Sequence, residues 1–270
     1  MALLDNSTAK RLGILCFYDK NGRAARFLDG FLADLMQNLT DLVVIVNGKI
    51  DDEARKMFGK YTDTIMVREN KGLDVAAYKQ ALLTIGWEKL ETYDEVLCLN
   101  DTIMGPVYPF KEMFETMSHE DVDFWGITAY AGETVNDEKI PTHLQAYWHA
   151  YRRNMVSSQA FHEYWENMPL WSDYAEVTRK HEMTFTKHFA QLGFKWASYI
   201  DWRKYKGYSS YPLLYMPAQL LRDDRCPVFK RRSFFVDYSV YFDQTAGQPA
   251  LDLYDFLKNE TDYDVDLIWD

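Results

Sequence analysis

TIMVRENKGLDVAAYKQALLTI, residues 64–85, decides the fold class. Thr64–Val67 is a short apolar run rich in β-branched residues, which predicts a strand. Leu73–Ile85 carries apolar residues three and four apart, which predicts a helix. The five residues between them, Arg68-Glu69-Asn70-Lys71-Gly72, form a polar loop closed by glycine. A strand, a short loop and a helix in succession are the repeating unit of a parallel sheet covered by helices.

The same alternation extends outward. Strands are predicted at Leu12–Tyr18, Leu42–Val46, Glu95–Leu99 and Phe124–Thr128, and helices at Arg23–Leu39, Asp51–Phe58 and Pro109–Met117. Asp51 and Asp52 suit an N-cap, and Pro109 suits a first turn. The expectation is an α/β protein, a mostly parallel twisted sheet with helices on both faces. Further on, Leu144–Asn154 is aromatic and basic, Ser157–Glu166 and Arg179–Leu192 read as helices, and Lys195–Tyr199 reads as a strand. Leu251–Lys258 predicts a closing helix. With no repeat, low-complexity tract or clear linker, one domain over 1–270 is expected. Its regular strand–helix half would be about 10–130 and its less regular half about 131–270.

Composition narrows the function. A net charge of −11 over 270 residues argues against a nonspecific nucleic-acid binder. No apolar stretch approaches the roughly 20 residues of a membrane span, and the first residues lack the features of a secretory leader, so a cytoplasmic protein is expected. Cys16, Cys98 and Cys226 are widely spaced, and two lie in apolar runs, as expected of reduced, buried cysteines. Charge is uneven: Arg222–Arg232 is basic, whereas the tail from Leu251 is acidic.

Ligands of open parallel sheets bind beyond the carboxyl ends of the strands. Those ends carry Asn47-Gly48, the Arg68–Gly72 loop and Asn100-Asp101-Thr102. Asn47, Asn70, Gly72, Asp74, Asn100 and Asp101 are therefore candidate donor-binding residues. The first turn at Leu73-Asp74 offers free N–H groups to an anion or a ribose. Simpler readings stand beside these: Gly48 and Gly72 shape turns, and Asp74 caps a helix. A dinucleotide oxidoreductase is excluded by the lack of Gly-x-Gly-x-x-Gly after the first strand.

Several motifs, in order, resemble the rhamnan synthesis F family. They are Asn70–Asp74 with Ala76-Ala77-Tyr78, Tyr93-Asp94, Leu99–Thr102 with Gly105-Pro106, His143–Trp148 with Tyr151-Arg152, His181–Thr186 with Gly193-Phe194, and Cys226–Lys230. The resemblance covers most of the chain. It implies a GT-A-like, inverting glycosyltransferase that moves rhamnose from a dTDP-sugar to a lipid-linked glycan, with contact to the inner membrane face. The GT-A class usually places Asp-x-Asp after the fourth strand. Here Asn100-Asp101-Thr102 supplies one carboxylate, so Asp101 is the sole candidate ligand for Mg2+ or Mn2+ and metal dependence is in doubt. The single carboxylate also leaves open a noncatalytic glycan- or nucleotide-binding module, and the donor could be another nucleotide sugar.

The resemblance makes Glu182, at an expected helix start, the catalytic base; a helix N-terminus would hold it as the anion. A solvated first-turn glutamate is the plainer reading. His143, Gln145, Arg225 and Lys230 are the candidate acceptor or phosphate contacts. Guanidinium groups bind phosphate in forks, but the basic segment could equally contact the acidic tail.

Overall fold

The computed structural model describes residues 3–135, 137–171, 173–240, 243, 245 and 247–270. Alternating chain elements build the expected sheet. They are β1 (Arg11–Phe17), α1 (Phe27–Leu35), β2 (Asp41–Asn47), α2 (Asp52–Phe58), β3 (Ile65–Arg68), α3 (Leu73–Ile85), α4 (Trp87–Leu90), β4 (Glu95–Asn100), β5 (Ile103–Met104), α5 (Phe110–Ser118) and β6 (Phe124–Gly126).

The main sheet has seven strands, ordered Trp196–Ser198, β6, Trp148–Arg152, β4, β1, β2, β3. All are parallel except Trp148–Arg152, which runs antiparallel to β4 and β6. This is the α/β class expected from the sequence, a mostly parallel sheet covered by helices, with one strand reversed. The strand alternation distributes the core. From β1, Leu15 and Phe17 pack with α1, α5 and the helix Pro249–Glu260, whereas Leu12, Ile14 and Cys16 face α3 and the helices Gln159–Asn167 and Met183–Gln191.

Two local expectations are corrected. The helix expected over Arg23–Leu39 occupies only Phe27–Leu35, because Asp19 Oδ1 accepts the Asn21 and Arg23 N–H groups and holds that segment as a turn. The helix start expected near Arg179 does not exist. Tyr174–Val177, a π-helical turn Thr178–Glu182 and Met183–Gln191 run on without a break.

Candidate active site

Three strand ends meet at the carboxyl edge of the sheet. Gly72 (φ +76°) and Leu73 (φ +56°) turn the chain from β3 into α3 through left-handed conformations that favour glycine. A Cβ on Gly72 would stand 2.7 Å from that of Ala76, so this turn also needs a residue without a side chain. Asn47 Nδ2 donates to the Leu73 carbonyl at 3.0 Å. The Arg68 guanidinium donates to Asn47 Oδ1 and, at 2.7 Å, to the Lys71 carbonyl. Asn47 is thereby committed as a strut for the loop, and Asn70 is exposed on its outer side.

Asp74 and Asn100 form the next layer. Asn100 Nδ2 donates to Asp74 Oδ2 at 2.7 Å, while Asp74 Oδ1 accepts from the Val75 N–H at 2.9 Å. Asn100 Oδ1 accepts from Thr102 N at 3.1 Å and Thr102 Oγ1 at 2.7 Å. Both residues line a cavity of about 130 Å³ together with Thr102, Tyr147, Glu182 and Lys230. Three of the predicted site residues far apart in sequence, Asp74, Glu182 and Lys230, thus share one chamber.

Glu182 reaches it from the end of the π-helical turn; single π turns within helices recur at functional sites. Glu182 Oε1 accepts from the Ala146 N–H at 3.2 Å. The expectation of a helix-start anion is corrected, since Glu182 lies within a continuous helical run. Burial instead raises its pKa, partly offset by the Ala146 N–H and the charge of Lys230. A raised pKa makes it a stronger proton acceptor than a solvated glutamate.

Asp101 accepts from the Tyr18 N–H at 3.2 Å. Burial pushes its pKa up to about 7, with the charges of Asp74 and Asp19 adding to the shift. As a resident cation site this neighbourhood is poor. Asn100 Oδ1 is committed to Thr102, and both Asp74 oxygens already accept hydrogen bonds. Among the described residues no three His, Cys, Asp or Glu side chains converge to hold a metal ion. With Asp101 as the carboxylate left free to ligate, a Mg2+ or Mn2+ ion would depend on substrate phosphates for most of its ligands rather than on a cage of side chains.

Lys230 enters from a different direction. The short strand Phe229–Lys230 pairs antiparallel with β5, placing Lys230 opposite Ile103. Its ammonium donates to Thr102 Oγ1 at 2.8 Å and lies 4.4 Å from the Tyr147 ring centroid. Burial lowers its pKa to about 8, against the opposing pull of Glu182 and Asp74.

The other candidates lie outside the chamber. His143 donates Nδ1–H to the Pro141 carbonyl at 2.7 Å and stacks on Tyr130, and burial lowers its pKa. Gln145 sits one layer behind, its Oε1 accepting from Thr128 Oγ1 at 2.5 Å; Thr128 also bonds Tyr147, which lines the cavity. Arg225 does not line this cavity: its guanidinium forms a two-pronged pair with Glu112, both bonds 2.8 Å, over the Tyr108 ring. Arg222 reaches Glu260 at 3.1 Å, which is the tail contact left open as the plainer reading.

Sequence reasoning missed Tyr78, Tyr147, Thr178 and Tyr211 as lining residues. Tyr78 Oη and Thr178 Oγ1 are buried and have no hydrogen-bond partner among the described residues. Orphaned hydroxyls in a chamber wall are suited to a polyhydroxylated ligand, since a buried polar group left unpaired is costly. Tyr78 and Tyr147 lie inside motifs that carry the family resemblance but had no role assigned, and nothing local marks Thr178 or Tyr211, because ordinary core tyrosines and helix threonines look the same.

Comparison with known proteins agrees with these motifs. An uncharacterized protein of Sinorhizobium fredii, y4gN, is 25% identical over 186 residues, 68% of this chain. The chain spans 46% of that curated relative's length. Partial structural similarity extends to glucosyl-3-phosphoglycerate synthase from Mycobacterium tuberculosis in complex with Mn2+ and UDP-glucose. The identity is 11%, coverage is 72% of this chain and 69% of that chain, and the TM-score is 0.43. It extends also to 4-diphosphocytidyl-2C-methyl-D-erythritol synthase from Anaerococcus prevotii, at 10% identity, 65% and 83% coverage and TM-score 0.42. Residues 42–270, which carry Asp74, Asn100, Glu182 and Lys230, match the rhamnan synthesis protein F family, and the chain belongs to that family.

Proposed function

We propose that this chain is an inverting glycosyltransferase that moves rhamnose from dTDP-L-rhamnose to a lipid-linked surface-polysaccharide acceptor. The observation that carries the reading is the shared chamber, where a raised-pKa carboxylate, an ammonium and two orphaned hydroxyls face one another at the carboxyl edge of the sheet. Family membership supports the donor sugar.

In this mechanism the donor diphosphate lies beyond β4 and its sugar enters the chamber. Tyr78 Oη and Thr178 Oγ1 bind sugar hydroxyls. Glu182 removes the acceptor hydroxyl proton as that oxygen attacks the anomeric carbon, and the electron pair of the breaking bond passes to the diphosphate oxygen. Tyr147, held through Thr128, walls off water. No helix among the described residues is long and apolar enough to cross a membrane, so contact with a lipid-linked acceptor would be made at the membrane surface.

Thermal unfolding with a panel of nucleotide sugars tests the donor. At about a hundred times its dissociation constant the true donor adds roughly 2.7 kcal/mol of stability. dTDP-L-rhamnose is expected to raise the melting temperature most. Equal shifts from UDP-glucose and GDP-mannose would overturn the assignment of rhamnose.

A further inference from the structure

We propose that Lys230 supplies the positive charge that holds and stabilises the departing diphosphate, the task a divalent cation performs where the protein provides ligands for one. This rests on the glycosyltransferase reading and deepens it.

The placement of the ammonium carries the inference. The Phe229–Lys230 and β5 strands pair antiparallel, so the Lys230 backbone is fixed against the segment that follows Asn100-Asp101-Thr102. The side chain then folds back over the Tyr147 ring to Thr102 Oγ1. One of its three donors is used there, and among the described residues it forms no ion pair within 4.0 Å. Arg225, Arg222 and Lys204 are paired with Glu112, Glu260 and Asp224, while Arg232 lies close enough to lower the Lys230 pKa but does not line the chamber. Among the described residues Lys230 is the one lysine or arginine lining the chamber.

Carboxylates act on this buried ammonium from beyond contact distance, so an arriving diphosphate would be the first anion to touch it. Lysine binds phosphate as a compact point charge with rotatable donors. The carboxylates facing it are Glu182, Asp74 and Asp101; they tune the ammonium without neutralising it by contact. Few side chains beside Asp101 are free to ligate a metal ion, and Lys230 is the cation that the chamber wall itself supplies for the leaving charge. As the bond between the anomeric carbon and the diphosphate oxygen breaks, that oxygen gains the electron pair and accepts a hydrogen bond from Nζ. The acceptor proton goes to Glu182. No redox change is involved.

The test measures dTDP binding by calorimetry in excess EDTA, beside donor turnover with and without Mg2+ or Mn2+. Hydrogen bonds to charged groups are typically worth 1.5–3 kcal/mol, or about 10- to 100-fold in affinity. Wild type is expected to bind dTDP in EDTA, Lys230→Met to bind it about 10- to 100-fold more weakly, and Lys230→Arg to recover most of the loss. Donor turnover is expected to persist in EDTA and to fall with Lys230→Met, without rescue by Mn2+. Unchanged melting of both variants, or recovery by Lys230→Arg alone, separates this from misfolding. Binding that requires a divalent cation in wild type, or that Lys230→Met leaves intact, overturns the proposal. If dTDP binds through Lys230 and no nucleotide sugar is consumed, the glycosyltransferase reading fails while the diphosphate contact stands.

Discussion

Glu182→Gln is expected to reduce sugar transfer by about 10²–10⁴-fold, the usual loss when a general base is removed, while donor affinity stays within a few-fold. Glutamine fills the same space and can still accept from the Ala146 N–H, so the helix and the chamber survive. The amide cannot take a proton at neutral pH. The pH profile gives a second readout. The Glu182 pKa is raised, so its carboxylate becomes available as a base only above the ordinary carboxylate range. Activity should therefore climb with pH through a raised acid limb. The Lys230 pKa is lowered to about 8, so its charge, and with it the rate, should fade above that pH. In Glu182→Gln the acid limb should disappear and the alkaline limb remain. Transfer at near wild-type rate in this variant would remove Glu182 from the role of base, and a loss of donor affinity in parallel would indicate a structural role.

Glu95→Ala is expected to cost about 3–5 kcal/mol of stability, because it leaves two buried cations without their anion. Glu95 lies at the opposite end of β4 from Asn100, about 17 Å away at roughly 3.3 Å per residue. Its Oε2 meets Arg11 Nε at 2.9 Å, and its Oε1 meets Arg152 Nε at 2.7 Å and the Trp125 indole N–H at 2.7 Å. Arg11 is 2% exposed and Glu95 1%, so water cannot take over these contacts. The group ties β1, β4, β6 and the antiparallel strand together below the site. The melting temperature should fall by about 6–20 °C, at roughly 2–4 °C per kcal/mol for a chain of this size. The folded fraction should still bind donor. A drop of under about 2 °C would show that the network is dispensable.

The contrast between these two residues shows what the sequence could reveal. The strands that position the site were legible because their sides and ends obey local rules. Leu73–Ile85 forms the helix expected of it, and Asp51 caps α2 by accepting from the Ala54 N–H at 2.7 Å. Asp74 and Asn100 were legible because strand ends in such sheets face ligands. The antiparallel strand Trp148–Arg152 was less so. It reads as an aromatic, basic segment, and nothing in a strand's own composition fixes the direction in which it pairs.

Glu182 lines the chamber, but it was expected there for an incomplete reason. Arg179-Lys180-His181 looked like a charged boundary before a helix, yet a π-helical turn carries the chain through it. That insertion shifts the register and accompanies the entry of Glu182 into the chamber. Arg225 and Lys230 were indistinguishable as neighbouring cations. Only tertiary pairing separates them, one bound to Glu112 and the other set against β5 by a partner strand far away in the chain.

Release of dTDP from dTDP-L-rhamnose, followed with and without a lipid-linked glycan acceptor, measures the central step most directly. Wild type is expected to release dTDP and to do so faster with acceptor, and Glu182→Gln is expected to suppress the acceptor-dependent part by about 10²–10⁴-fold. No nucleoside diphosphate released from dTDP-L-rhamnose or from any other nucleotide sugar, by wild-type protein that melts cooperatively, would contradict the assignment as a glycosyltransferase.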